Sequence, residues 1–228
     1  MLKLIGIMDD QGDLIIREEN IRLIIREGCK NMAKLYFKYG VMGSSKTAQA
    51  LITKFNYEER GMKVWLIKPQ TDSRDGDGII RSRAGLEAPA YILPITENIY
   101  DSFQQLKKQV DVIIVDECQF ISEEQVDQLS MIVIDYNVPV LCFGLRADFR
   151  TKMFPGSKRL MEIADSITEI KTICSCGRKA TVNVRLDENG KIITEGEQIL
   201  IGGNDRYTAM CYSCFIRKQK EQRAEEVK

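Results

Sequence analysis

The sequence predicts an α/β fold: a mostly parallel sheet with helices on both faces, followed by a small module held by cysteines. Three observations predict it. Val112-Ile113-Ile114-Val115 and the stretch from Val138 to Phe143 are continuous apolar runs of strand length, the pattern of strands buried on both faces. Such runs alternate with segments of helical pattern, as βαβ units do. Near Thr172 the composition shifts, and four of the seven cysteines fall between Cys174 and Cys214.

Residues 1–32 read differently from the rest. Leu14-Ile15-Ile16 suits a short strand, and Leu23-Ile24-Ile25 a short helix or strand, with charges between them. Met32 opens what looks like a fresh start, so residues 1–32 are expected to be an N-terminal extension. Leu35-Tyr36-Phe37 predicts a strand running to Gly40, and Lys46 to Arg60 a helix. Val64 to Ile67 predicts a strand closed by Lys68-Pro69, and residues 97–109 a helix. After the strand at 112–115, Ser122 followed by Glu123-Glu124 marks a capped helix start. The strand 138–143 precedes a helix over 156–165. These elements make up an α/β domain over 33–170. In the module, 171–214, Asp187-Glu188-Asn189-Gly190 is a turn between two β-like runs. Residues 215–228 form a charged tail, a frayed helix or disorder.

Composition excludes several functions. The chain has 228 residues, with 33 Lys plus Arg against 33 Asp plus Glu. A net charge of zero supplies no broad positive field for nucleic acid or an anionic membrane. There is no histidine, so no histidine base, triad or metal ligand exists. No apolar run is long enough to span a bilayer, and the first residues do not read as a secretory signal. A reducing cytoplasm is the expected compartment, where clustered cysteines more often bind metal than pair.

Three motifs carry chemistry. Gly40-Val41-Met42-Gly43-Ser44-Ser45-Lys46-Thr47 lies between a strand and a helix, where backbone N–H groups and a helix N-terminus attract phosphate. Lys46 would reach the β and γ phosphates and Thr47 would ligate Mg²⁺. Ser45 stands where the pattern has Gly, so its side chain would crowd the phosphate or strain the turn. Asp116 and Glu117 end a buried strand, at the edge where open α/β sheets place ligands. Asp116 would hold Mg²⁺ through water and Glu117 would polarise an attacking hydroxyl; an ordinary pair of helix-capping acids is the plainer alternative. Cys174 and Cys176, with Cys211 and Cys214, fit a closed and therefore structural four-thiolate zinc site. Gly177 would supply its turn. Cys29, Cys118 and Cys142 are isolated and expected to be inert. Arg74 would steady a transferring phosphoryl group or simply face solvent. Leu145 and Phe149, after the last buried strand, would line a base pocket or pack in the core.

Taken in order, LYF before the phosphate loop, FNYEERGMKV, TDSR, SRAGL, VDECQF, VPVLCFGLRADFR, KTICSCGRKA and EGEQILIGGNDRY closely resemble the zinc-containing, tetrameric thymidine kinases of the bacterial and cytosolic-vertebrate type. The resemblance spans about Met32 to Cys214. It implies a P-loop (RecA-like) sheet with a small zinc-tethered lasso domain, and a cytoplasmic homotetramer that binds neither nucleic acid nor membrane. The implied reaction moves the γ-phosphoryl of ATP to the 5′-hydroxyl of thymidine, with Mg²⁺ and structural Zn²⁺. Lys46 and Thr47 match the family's phosphate-loop pair. Glu117 matches its general base and Asp116 the carboxylate near the metal. Arg74, with Asp72 beside it, matches the arginine near the transferring phosphate. Phe120, Leu145 and Phe149 match side chains around thymine, and Tyr207 the loop tyrosine over the nucleoside. The lasso spans about 180–210, and Cys174, Cys176, Cys211 and Cys214 match the zinc ligands. Ser45, Gly43 and the extension depart from the pattern. Ser45 keeps a second reading open, a catalytically weakened nucleotide-binding protein; a nucleic-acid ATPase with a zinc ribbon is a third.

Overall fold

A computed structural model of the chain describes residues 7–8, 14–15, 32–71, 78–198 and 206–226. The chain divides into two units, Met1–Ala33 and Lys34–Lys228. In the first, β1 (Ile7–Met8) pairs antiparallel with β2 (Leu14–Ile15), which places the expected strand at residue 14; the segment Leu23–Ile25 lies outside the described residues.

The second unit runs β3 (Leu35–Tyr39), α1 (Lys46–Glu58), β4 (Val64–Pro69), β5 (Ile79–Arg81), β6 (Glu87–Pro89), β7 (Tyr91–Leu93), α2 (Ile99–Leu106), β8 (Val112–Val115), α3 (Glu123–Tyr136), β9 (Val140–Gly144), α4 (Pro155–Ile163), β10 (Ser166–Glu169), β11 (Val182–Arg185), β12 (Tyr207–Met210) and α5 (Tyr212–Glu226). Six strands form one sheet in the order β10-β3-β9-β8-β4-β7, and every neighbouring pair is parallel. The expected parallel sheet is present. One strand, β9, separates β3 from β8, so the phosphate-loop motif and the Asp-Glu pair emerge at the same sheet edge.

Period-two geometry explains why the central strands are apolar throughout. Leu66, Val112, Ile114, Leu141 and Phe143 pack with Ala50 and Leu51 of α1 on one face. Their sequence neighbours point to the other face, where Trp65 meets Phe103 of α2 with ring centroids 6.3 Å apart. Ser122 caps α3 as expected: its hydroxyl accepts the Gln125 N–H at 3.0 Å, and the Gln125 side chain returns a bond to the Ser122 N–H.

Several boundaries differ for physical reasons. α2 starts at Ile99 because the Asn98 side chain accepts the N–H groups of Tyr100 and Asp101, a cap that fixes the first turn; a 3₁₀ turn, Lys107–Gln109, follows it. β9 starts at Val140 because Pro139 has no N–H to give the ladder. β4 continues through Pro69, where its remaining partner is β7. Of the two states expected for the tail, helix is the one present. α5 runs to Glu226, and Phe215 and Ile216 pack against Val182, Val184 and Ile192. Gln222 exchanges two hydrogen bonds with the backbone of Ile192. The turn at Asp187–Gly190 is present, with the Gly190 N–H bonded to the Asp187 carbonyl at 3.1 Å. The strand partner of β11 is the more distant β12.

Candidate functional site

The phosphate-loop motif joins β3 to α1. At Gly40 an added Cβ would collide with Ser44 Oγ and lie 2.6 Å from the Ile170 carbonyl oxygen, so close packing dictates glycine there. Ser45 adopts φ 60°, ψ 27° with its side chain exposed. The strain expected from Ser in a Gly position is therefore real: left-handed backbone costs an L-residue about 1–2 kcal/mol. Lys46 is 8% exposed and donates through Nζ to the Val41 carbonyl at 3.0 Å. No acid occupies the first turn of α1, which leaves the positive end of the helix open to an anion.

Asp116 and Glu117 leave the tip of β8. Asp116 is buried, and that burial, with the nearby charge of Glu117, pushes its carboxyl up to about 7 against the opposing Thr47 hydroxyl and Lys46. A metal ion is the natural counter-charge for such a group. Glu117 sits at φ 51°, ψ 40°, a second left-handed residue facing the same space. Gln119 Nε2 donates to Glu117 Oε2 at 2.5 Å, and Gln119 Oε1 accepts the Leu145 N–H at 2.9 Å. Gln119, only 2% exposed, thus holds the carboxylate from one side and the backbone after β9 from the other.

These groups line one cavity of about 640 Å³. Met42, Gly43, Ser45, Lys46 and Thr47 form one wall and Asp116 and Glu117 its floor. Phe120, Leu145, Phe149, Phe154 and Tyr207 make an apolar end. Phe120 and Phe154 meet edge to face at 5.8 Å. Phe149 is buried and also lines the cavity, and the guanidinium carbons of Arg150 and Arg185 lie 5.7 and 5.2 Å from its ring centroid. Burial raises the Tyr207 phenol, with Arg185 opposing. Gly40 and Val41 line a smaller cavity behind the loop. Asp72 and Arg74 lie outside the described residues, as does the lasso segment at 199–205.

The four clustered cysteines converge. Their sulfurs all lie within 4.8 Å of one another, and Cys176 and Cys211 are 3.7 Å apart. A tetrahedron with Zn–S of about 2.3 Å has sulfur edges of about 3.8 Å, so the set fits zinc. Backbone N–H groups of Cys176 and Cys211 hold the Cys174 thiol at about 6, and that of Arg178 lowers Cys176. These two thiols are disposed toward the thiolates a metal needs, whereas hydrogen bonds with Cys176 and Cys211 push Cys214 up to about 12.

The thymidine kinase family model matches residues 33–215. The chain is 47% identical over 189 residues to a thymidine kinase of Zymomonas mobilis subsp. mobilis, covering 82% of this chain and 98% of that protein. It is 49% identical over 183 residues to one of Legionella pneumophila, covering 79% and 88%. A Vibrio vulnificus thymidine kinase is 47% identical over 182 residues, covering 79% and 95%. The chain belongs to the thymidine kinase family. It is accordingly a kinase, and among its described residues no helix is long and apolar enough to cross a membrane.

For a thymidine kinase, the cavity includes groups that motif reading did not single out. Asp148, 4% exposed, accepts the N–H groups of Arg150 and Lys152 and binds the Arg150 guanidinium and Gln198. Arg150 and Arg185 in turn donate to the Gly196 and Glu197 carbonyls, next to Gln198, which lines the cavity. Arg81, Ser82 and Arg83, on or beside β5, also line the cavity. The SRAGL segment was the available signal for Ser82 and Arg83. Asn183 reaches into the same wall from β11.

Proposed function

We propose that the chain transfers the γ-phosphoryl group of ATP to the 5′-hydroxyl of thymidine. The observation that carries this reading is the single cavity in which the Lys46 loop, the Glu117 carboxylate and the aromatic end face one another. Phosphoryl transfer demands mainly positioning and charge stabilisation. The triphosphate lies along the N–H groups of the loop, with Lys46 on the β and γ oxygens. Thr47 and Asp116 would hold Mg²⁺, which when bound neutralises phosphate charge. Arg74, with Asp72, adds charge stabilisation at the transferring group. Glu117 accepts the proton of the 5′-hydroxyl as the hydroxyl oxygen attacks the γ-phosphorus in line and the bond to the bridging oxygen of the departing ADP breaks. Phe120, Leu145, Phe149 and Tyr207 enclose the base.

Residues 33–170 act as the nucleotide-binding domain and 171–214 as the zinc-held nucleoside loop, with 1–32 as an extension. Zinc on four thiolates has no open position, so its role is structural, and a reducing cytoplasm suits it. We read the assembly as a homotetramer. Ile52 and Phe55 of α1 are 49% and 58% exposed, and Met131 and Ile134 of α3 are 46% and 58% exposed, which leaves an apolar patch on each of two helices. The neutral net charge speaks against nucleic acid as a partner.

Incubation of the purified protein with Mg²⁺, γ-labelled ATP and thymidine is expected to give labelled thymidine 5′-monophosphate; no label on thymidine at saturating substrate refutes the reading. Ser45→Gly tests the weakened-binder alternative. Ser45 already holds the left-handed conformation with its side chain exposed. Relief of strain is offset by the entropy glycine loses on folding. Turnover is therefore expected to change less than about fivefold and stability by less than about 1 kcal/mol. A gain of tenfold or more in kcat would favour the weakened binder.

A further inference from the structure

The cysteine module touches the phosphate loop directly. Val41 packs against the cluster of Cys174, Ala180, Cys211 and Cys214, and Thr172 Oγ1 donates to the Gly43 carbonyl at 3.4 Å. Asn183, 4% exposed on β11, makes the tightest link. Its Oδ1 accepts the Met42 N–H at 2.8 Å and its Nδ2 donates to the Ala147 carbonyl at 2.7 Å. The Met42 N–H and the Val41 carbonyl belong to one planar peptide unit. That same carbonyl accepts Lys46 Nζ at 3.0 Å and the Ser44 N–H at 3.3 Å. One end of the peptide plane is therefore fixed by the module, and the other end aims the ammonium group and the turn of the loop. Behind the loop lies a cavity of about 320 Å³ lined by Gly40, Val41, Ala147 and Asn183.

We propose that Asn183 is a positioning residue for the phosphate loop and Lys46, and that through it the metal-binding module sets affinity for a nucleoside triphosphate as well as tethering the nucleoside loop. This rests on the reading of the cavity as an ATP site. It gives the module a role at the triphosphate cradle, through β11, beside that of a tether.

The test is binary binding of Mg²⁺ with a non-hydrolysable ATP analogue, by calorimetry without thymidine. Asn183→Leu keeps bulk but removes both bonds and leaves the Met42 N–H unpaired; affinity is expected to fall about tenfold, with thymidine KM within about twofold of wild type. A folded Asn183→Leu protein that binds the analogue within about twofold of wild type overturns the proposal. Should that variant fail to fold, hydrogen exchange on the wild-type protein takes its place. Removing metal with a chelator is expected to speed exchange of the peptide spanning residues 40–47, and unchanged protection there overturns the coupling. Wild type that fails to bind the analogue at all sinks the ATP reading instead, and the exchange measurement still decides whether the module braces the loop.

Discussion

Glu117→Gln is expected to lower kcat by about 10²-fold or more while thymidine binding stays close to wild type. The substitution keeps the size of the side chain and an oxygen that can accept from Gln119, whose amide lies 2.5 Å from the carboxylate. The left-handed backbone at residue 117 is equally demanding for Gln and Glu, so the fold is little disturbed. What disappears is a group able to accept the proton from the attacking hydroxyl. Lys46, the phosphate loop and the carboxylate of Asp116 remain, so residual turnover from positioning and charge is expected. Steady-state kinetics with calorimetric thymidine binding checks it. A fall in affinity with normal kcat would assign Glu117 to substrate binding, and wild-type values for both would remove it from the mechanism.

Legibility in the sequence followed the range of the contacts. The phosphate loop, the acids after a buried strand and the two cysteine pairs are each contiguous or nearly so, and their spacing carries the chemistry. The long apolar strands were equally clear, because burial on both faces writes itself as an unbroken run. Strands β5, β6 and β7 have three residues each, too short for a period to register, and β10 is an edge strand whose residues are partly exposed. Gln119 and Asn183 were missed for another reason. Asn183 meets Met42 across 141 positions, and Gln119 meets Leu145 across 26. A buried amide that bridges distant segments leaves no periodic trace. Ser45 shows the reverse: a departure from a local pattern pointed to backbone strain, and a positive φ is found there.

Gly144→Ala is expected to cost about 1–3 kcal/mol of stability and to lower kcat by about 10²-fold. Gly144 does not have a positive φ, so alanine can adopt its backbone and the effect is steric. An added Cβ would sit 2.6 Å from both Cys118 Sγ and Gln119 Oε1, and 3.1 Å from the Cys118 backbone nitrogen. Neither side chain can retreat, since Cys118 and Gln119 are 0% and 2% exposed. The turn after β8 must move instead, and it carries Glu117 and the Gln119 bridge to Leu145. The Gly144 carbonyl also accepts the Gly40 N–H at 3.2 Å, so the shift reaches the start of the phosphate loop. Thermal melts and kinetics on Gly144→Ala, alone and with Cys118→Ala, separate the two losses. Removing the sulfur relieves one collision and should recover part of the stability. The collision with Gln119 Oε1 remains, so turnover should stay low. Recovery of kcat in the double variant would place the constraint on Cys118 and leave Gln119 without a role in aiming the base.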